Sequence, residues 1–431
     1  MLQQILFYRV FILLTCCLAF IFAQQENTPD EMAQLADLLG LSQASARLKR
    51  QPSLSNSAAK FLLEVYKEIS EEDEKHLSEV LQNQHKTRNR RAISEDNFIT
   101  PFDRREIELS NNIITFASRP VSFKSISAPL GDMLVNFNLN DIPNDLELTH
   151  AAMRLYQDPQ LGHYNMHAEY NYTIDVYKPV GEYMHRVASI NATTTFRGWL
   201  ELNVTHVLNQ WLRFRTLKQI LYGNDLLVGV TLHTPHRHRK EGAIAKSQQV
   251  AVTDIGLVSP QIQAELLDLQ PFIIGYFKGP DLLTKMQQRS SQQNKRRVRH
   301  ADSFRQPPAP HLPHTINVNK EIVFEPPKAC ERRNFTLDFK YLGMEKSVIA
   351  PKTFEAFYCF GECNFPLGTP MHNATNHAIV QTLMHLKRPN LPKPCCVPIK
   401  LASISILYSV NEDSVNLMRF SHIVAKECGC R

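Results

Sequence analysis

The chain has 431 residues, 43% hydrophobic and 21% charged, which is ordinary for a globular protein and long enough for two or three domains. Its net charge of +6 is too mild to argue for a nucleic-acid partner. Seven of its nine cysteines fall between Cys330 and Cys430, so the chemistry of the last hundred residues differs from that of the rest.

The N-terminus reads as a signal peptide over 1–23: Arg9 supplies the positive charge, Val10 to Phe22 the apolar run, and Ala23 the last residue. Ile21 is larger than the residue preferred at that position, which spreads the cut over a few residues. The run is short for a bilayer span and no later stretch reaches spanning length, so a secreted, extracellular product is expected. Five Asn-x-Thr sequons agree with export, at Asn171, Asn191, Asn203, Asn334 and Asn373.

A propeptide is expected over 24–299. Its first helix, about 28–40, opens with Thr28 as cap, Pro29 at the first helical position and Glu31 closing a capping box. A second, about 57–70, carries Phe61, Leu62, Val65, Tyr66 and Ile69 on one face and Lys60, Glu64, Lys67 and Glu68 on the other. The polar tether between them offers no core, so both helices need an apolar partner elsewhere. Charged sequence from Glu71 to Arg91 reads as linker. From about 110 to 278 short apolar runs recur between turn residues, among them IITFAS, MLVNFNL, DLLVGVTL and PFIIGYF, and predict a β-rich domain. One helix is expected within it, from Val204 to Phe214, with Trp211 on its buried side. Trp199 and Trp211 read as core packing, and the HRHRK cluster at 236–240 as a solvated loop.

Three basic tetrads, ending at Arg50, Arg91 and Arg299, place Arg at the cut and four residues before it, the spacing that furin-type proprotein convertases read. The last precedes a flexible tail, 300–329, rich in Pro and His.

The closing domain, 330–431, is too small and too extended to hold itself by core alone. Its seven cysteines are an odd number, which in a secreted chain points to three bridges and one intermolecular link. CFGEC (359–363) and CGC (428–430) close a small covalent ring if Cys359 joins Cys428 and Cys363 joins Cys430. Gly361, without Cβ, leaves room for a third bridge from Cys330 to one of Cys395 and Cys396. Zinc ligation by the same thiols is the competing reading, but an exported chain and an adjacent Cys pair suit it poorly. FTLDFKYL, TFEAFYC, SISILYSV and FSHIVAKEC read as two antiparallel fingers, with a helix from Asn376 to Leu386 between them. That helix has no surface in its own chain for Ile379, Val380, Leu383 and Met384, so a second protomer is expected to supply one.

This spacing resembles the transforming growth factor-β cystine-knot domain. NATNHAIVQTLMHL, PKPCCVP and AKECGC are similar to the bone morphogenetic protein branch, and ERRNFTLDFKYLGMEKSVIAPKTFEAFYCFGECNFPLG to its insect members. EMAQLADLLGL, SAAKFLLEVYKEI, GWLELNVTHVLNQWL and QPFIIGYF resemble the clasp helices and arm of such prodomains.

The resemblance implies a multidomain chain: an α+β prodomain of two N-terminal helices and a β-rich arm, then a small β-dominated growth factor domain with one helix. It implies the pairs Cys330–Cys396, Cys359–Cys428 and Cys363–Cys430, with Cys395 bonded to a second chain as homodimer or heterodimer. Implied partners are type I and type II receptor serine/threonine kinases, the chain's own propeptide, convertases and extracellular antagonists. The implied type II contacts are Ala350, Pro351, Pro398, Ser405, Leu407 and Leu417. The type I contacts are Met344, Ser347, Met371 and His372; many relatives carry tryptophan at the first two positions, so this wrist lacks its usual anchors. No HExxH, phosphate loop or GxSxG occurs, and the resemblance implies a ligand without enzyme activity or cofactor. A secreted cystine-knot antagonist is the alternative class, disfavoured by a processed prodomain with clasp helices.

Overall fold

The computed structural model describes residues 54–81, 98–121, 130–163, 169–181, 183–216, 223–233, 247–280, 284, 329–364 and 374–431. The expected helix over 28–40, the HRHRK cluster and all three basic tetrads lie outside the described residues.

Helix α1, Ser57–Leu81, starts where Asn56 Oδ1 accepts the Ala59 N–H at 2.8 Å. It runs eleven residues beyond the expected end, through the stretch read as linker. The reason is local: Glu and Lys are good helix formers, and a charged run is no stop signal without Gly or Pro. Helix α2, Pro101–Leu109, was not expected from the sequence. Thr100 and Asp103 form a capping box around Pro101 at its start.

Sixteen strands occur among the described residues. The arm comprises β1 (Asn112–Pro120), β2 (Met133–Phe137), β3 (Glu147–Gln157), β4 (Asn171–Val180), β5 (Tyr183–Thr193), β6 (Gly198–Asn203), β7 (Asp225–His233), β8 (Ser247–Val250) and β9 (Phe272–Lys278). Helix α3, Thr205–Thr216, lies beside β3, begun by Asn203 Oδ1 accepting the Thr205 N–H at 3.0 Å. The arm core is built on Phe116, Phe137, Tyr172, Leu208, Trp211 and Phe277, so Trp211 packs as expected. Trp199 is buried in a second cluster, described below.

The closing domain holds β10 (Glu331–Arg333), β11 (Thr336–Asp338), β12 (Val348–Ala350), β13 (Thr353–Glu355), β14 (Tyr358–Phe360), helix α4 (Asn376–Lys387), β15 (Cys396–Ser409) and β16 (Ser414–Cys430). β15 and β16 form one long antiparallel finger; the short pairs β10–β14 and β11–β13 form the other.

The finger and the arm share a sheet. Strand order runs β12-β15-β16-β1-β2-β7-β4-β5. β1 is common to both regions: Asn112 to Phe116 pair with Met418 to Ser414 on one side and with β9 on the other. Buried amides fix the register, because a slip would leave them unpaired. Asn416 Nδ2 donates to Asn112 Oδ1 at 3.2 Å and to the Tyr408 hydroxyl at 2.8 Å. At the fingertip, Asn411 Nδ2 donates to the Asn140 carbonyl at 2.9 Å, and Asp413 pairs with Arg119.

α2 is bolted to the arm by a buried ion cluster. Arg154 donates to Asp103 at 2.7 Å and to Glu201 at 2.9 Å, and the Tyr276 hydroxyl donates to Asp103 Oδ1 at 2.7 Å. Burial pushes the Glu201 carboxyl above its ordinary value, with Arg154 opposing, and pushes the Tyr276 hydroxyl far up. A bidentate-acceptor aspartate under an arginine fixes geometry more than it adds net stability.

Candidate functional site: knuckle, knot and helix face

The covalent frame comes first. Cys330–Cys396, Cys359–Cys428 and Cys363–Cys430 are bridged, with Cα–Cα distances of 5.5, 5.7 and 6.0 Å. These are the pairs that the resemblance implies. Gly361 sits at φ +127°, and a Cβ there would meet the Ala329 carbonyl oxygen at 2.4 Å, so the chain entering the third bridge passes where only glycine fits. The sulfurs of Cys330, Cys363 and Cys430 lie near one another, but each is spent in a disulfide, so the zinc reading has no thiolates to use. Each bridge closes a loop of 66 to 69 residues, worth roughly 4 kcal/mol in the chain-entropy account.

Cys395 is free within the chain and exposed. Its backbone is pinned by a reciprocal pair with Arg431, at 2.9 and 3.0 Å, which holds the thiol on the surface beside the knot. Helix α4 begins at Thr375, whose hydroxyl accepts the Ala378 N–H at 3.2 Å, and ends with His385 and Lys387 in its last turn. It turns Ala378 and Thr382 inward and leaves Val380 (57% exposed), Leu383, Met384 and Leu386 bare. Four apolar side chains thus share one exposed face of α4, an apolar patch of the kind found at interfaces.

The knuckle is the opposite case. Leu407 and Leu417 face each other across β15 and β16 and are 0% and 3% exposed; Ser405 is also buried. What covers them is the N-terminal region: Ala58, Phe61, Leu62 and Val65 of α1 and Ile113 of β1 join Leu407, Val415 and Leu417 in one cluster. The Phe61 ring meets Phe98 edge-to-face at 5.5 Å and lies tilted against Phe272 at 5.9 Å, with Trp199 against Phe272. Ala350 and Pro351 are half-buried at the margin, and Pro398 is exposed nearer the knot.

Met344 and Ser347 are not on the surface. They are 1% and 0% exposed; Met344 packs with Phe339, Phe354 and Tyr408, and the Ser347 hydroxyl donates to the Met344 carbonyl at 3.2 Å. The Met344 thioether and the small Ser347 hydroxyl fold inward at this end of the finger. Met371 and His372 lie outside the described residues, as does Asn373. The other sequon asparagines, Asn171, Asn191, Asn203 and Asn334, are exposed.

Sequence reasoning missed α2 and its ion cluster. Thr100-Pro101-x-Asp103 is the same cap-and-proline signal that was read at Thr28-Pro29, so it was available. The fingertip contacts of Arg119, Asn138 and Asn140 with the 411–414 turn carry no local signal.

A propeptide region folded onto a cystine-knot domain defines the class: a growth factor of the transforming growth factor-β family, not an enzyme. The family profile for the transforming growth factor beta like domain matches residues 329–430, and that for the TGF-beta propeptide matches 31–276. The chain belongs to this family, and its relatives are of bone morphogenetic protein type. It is 42% identical over 410 residues to protein screw of Drosophila melanogaster, covering 94% of this chain and 92% of that one. It is 34% identical over 423 residues to protein 60A of the same species, covering 94% and 87%. Bone morphogenetic protein 8B of Mus musculus is 28% identical over 309 residues, 68% of each.

Proposed function

We propose that the chain is the precursor of a secreted, disulfide-linked dimeric morphogen that brings type I and type II receptor serine/threonine kinases together outside the cell and signals through Smad proteins. The signal peptide is removed near Ala23, and convertases cut after Arg50, Arg91 and Arg299. Cys395 joins two growth factor domains, identical or from a heterodimer with another family ligand, and α4 of each packs on the other. The knuckle of Ala350, Pro351, Pro398, Ser405, Leu407 and Leu417 takes the type II receptor; the wrist, including the 371–372 loop, takes type I. Extracellular antagonists compete for the same faces.

One observation carries this reading: the apolar centre of the knuckle, Leu407 and Leu417, is sealed by α1 and β1, while the apolar face of α4 and the Cys395 thiol are open. A single chain thus hides the receptor surface and leaves bare the surface that a second copy needs. The inward turn of Met344 and Ser347 supports a weak type I wrist, best completed in a heterodimer. The test is surface capture of type II ectodomain by the uncut secreted precursor and by the separated mature dimer. Binding by the mature dimer alone supports the reading; equal binding by both removes the masking.

A further inference from the structure

The seal over the knuckle is uneven along α1. Its first turns are held twice, by the fingers and by the arm. The Ser57 hydroxyl donates to the Gln270 carbonyl at 2.6 Å, and the Thr115 hydroxyl donates to the Ala58 carbonyl at 3.0 Å. Ala58, Ala59, Phe61, Leu62 and Val65 are all buried. From Tyr66 to Ser70 the helix is half-buried or exposed, and its ion pair to α2, Arg104 to Glu68 at 2.9 Å, lies partly in solvent. Such a pair holds weakly.

Beneath this second half is a cavity of about 190 Å³, walled by Val65 and Ile69 of α1, Ile107 of α2, and Ile404, Ser405 and Leu417 of the fingers. Ser110, at the end of α2, also borders it, and its buried hydroxyl has no hydrogen-bond partner. Missing contacts and an unpaired hydroxyl both weaken a seam. Leu407 does not border the cavity and lies wholly covered in the cluster around Phe61. Cooperative units of unequal contact density open separately, the poorer one first.

We propose that α1 is a strap anchored at its first turns, whose second half opens locally over the cavity while Phe61 stays seated. Opening uncovers Ser405 and the cavity edge of Leu417 before Leu407, so the knuckle is presented in two stages on a precursor that is still assembled. The biological use of those stages rests on the knuckle being the type II receptor face. The underpacked seam is the device: it sets how often the first stage occurs without loosening the arm.

Hydrogen exchange on the full secreted precursor, kept uncut by replacing both arginines of each tetrad (Arg47 and Arg50, Arg88 and Arg91, Arg296 and Arg299) with Ala, tests this. Amides over 66–81 should exchange at least 10-fold faster than those over 59–65. Two variants separate the strap from simple end fraying. Ser110→Ala removes the unpaired hydroxyl, and Ile107→Phe fills the cavity. Each should slow exchange over 66–81 several-fold and leave 59–65 unchanged, whereas fraying would be indifferent to both. Uniform exchange across the whole helix, or no response to either variant, overturns the strap. Adding type II ectodomain to the same precursor is a separate arm. If the strap opens as described but the ectodomain never protects the amides of 403–407, the strap stands and the receptor reading falls.

Discussion

The growth factor domain has two apolar surfaces that meet opposite fates in the single chain. The centre of the knuckle, Ser405, Leu407 and Leu417, is buried under α1 and β1, whereas the α4 face keeps Val380, Leu383, Met384 and Leu386 in solvent. Exposed apolar patches of that kind mark interfaces still to be made. The difference separates intrachain from interchain work. The prodomain covers one of these surfaces and leaves the other open. The covers also differ in kind: the knuckle is sealed by helix packing and a shared strand, with polar residues setting the register, while the domain that bears the open face also carries an exposed free thiol.

The largest effect falls on the open face. Cys395→Ser is expected to abolish the covalent dimer on non-reducing gels and leave the three intrachain bridges in place; a persisting covalent dimer would mean that another thiol forms the link. On the covered face, Phe61→Ala removes a fully buried ring between arm and finger. Truncations of this kind cost about 3–5 kcal/mol, so the hold of the cleaved prodomain on the mature dimer should weaken on the order of 100-fold or more by surface capture. An unchanged hold would place the grip elsewhere. Breaking the bolt by Asp103→Asn leaves Arg154 with the part-exposed Glu201 as its one remaining carboxylate; removing one partner of a buried pair costs about 3–5 kcal/mol, of which Glu201 recovers a part. Thermal unfolding of the whole precursor should show a lower arm transition with the knot domain unaffected.

Asp413→Ala tests the exposed fingertip pair with Arg119. It should change prodomain affinity by no more than about 1 kcal/mol, and the change should shrink in high salt. The smallest effect is on pH dependence. Burial raises the Glu201 carboxyl above the ordinary 4.5, so the folded arm takes up that proton more readily than the unfolded chain. Its contribution is complete below 4.5 and is lost as pH rises through the folded value. Glu201→Gln should therefore flatten that part of the stability–pH curve.

How much of this could be read from the sequence depends on the range of each interaction. The covalent ring and the room at Gly361 were legible in two short motifs, whereas the choice of Cys396 over Cys395 for the third bridge came from the family resemblance alone. The bare face of α4 was legible from helical spacing alone, since one finger pair cannot cover it. The end of α1 was misplaced because Glu71 to Lys75 looks like linker, although those residues continue a helix readily. The cover over the knuckle had no local signal: Asn112 meets Asn416 across 304 residues, and β1 read only as one arm strand among many. The burial of Met344 and Ser347 was equally hidden, because a flexible methionine in a finger fits an exposed or a core position alike.

The most direct measurement of the central claim is a titration of type II receptor ectodomain against three species: uncut precursor, cleaved but associated complex, and isolated mature dimer. The account predicts the tightest binding by the isolated dimer, binding by the cleaved complex only as α1 leaves, and the weakest by the uncut precursor. Phe61→Ala should shift the cleaved complex toward the isolated dimer. Equal affinity for all three species, unmoved by Phe61→Ala, would contradict it.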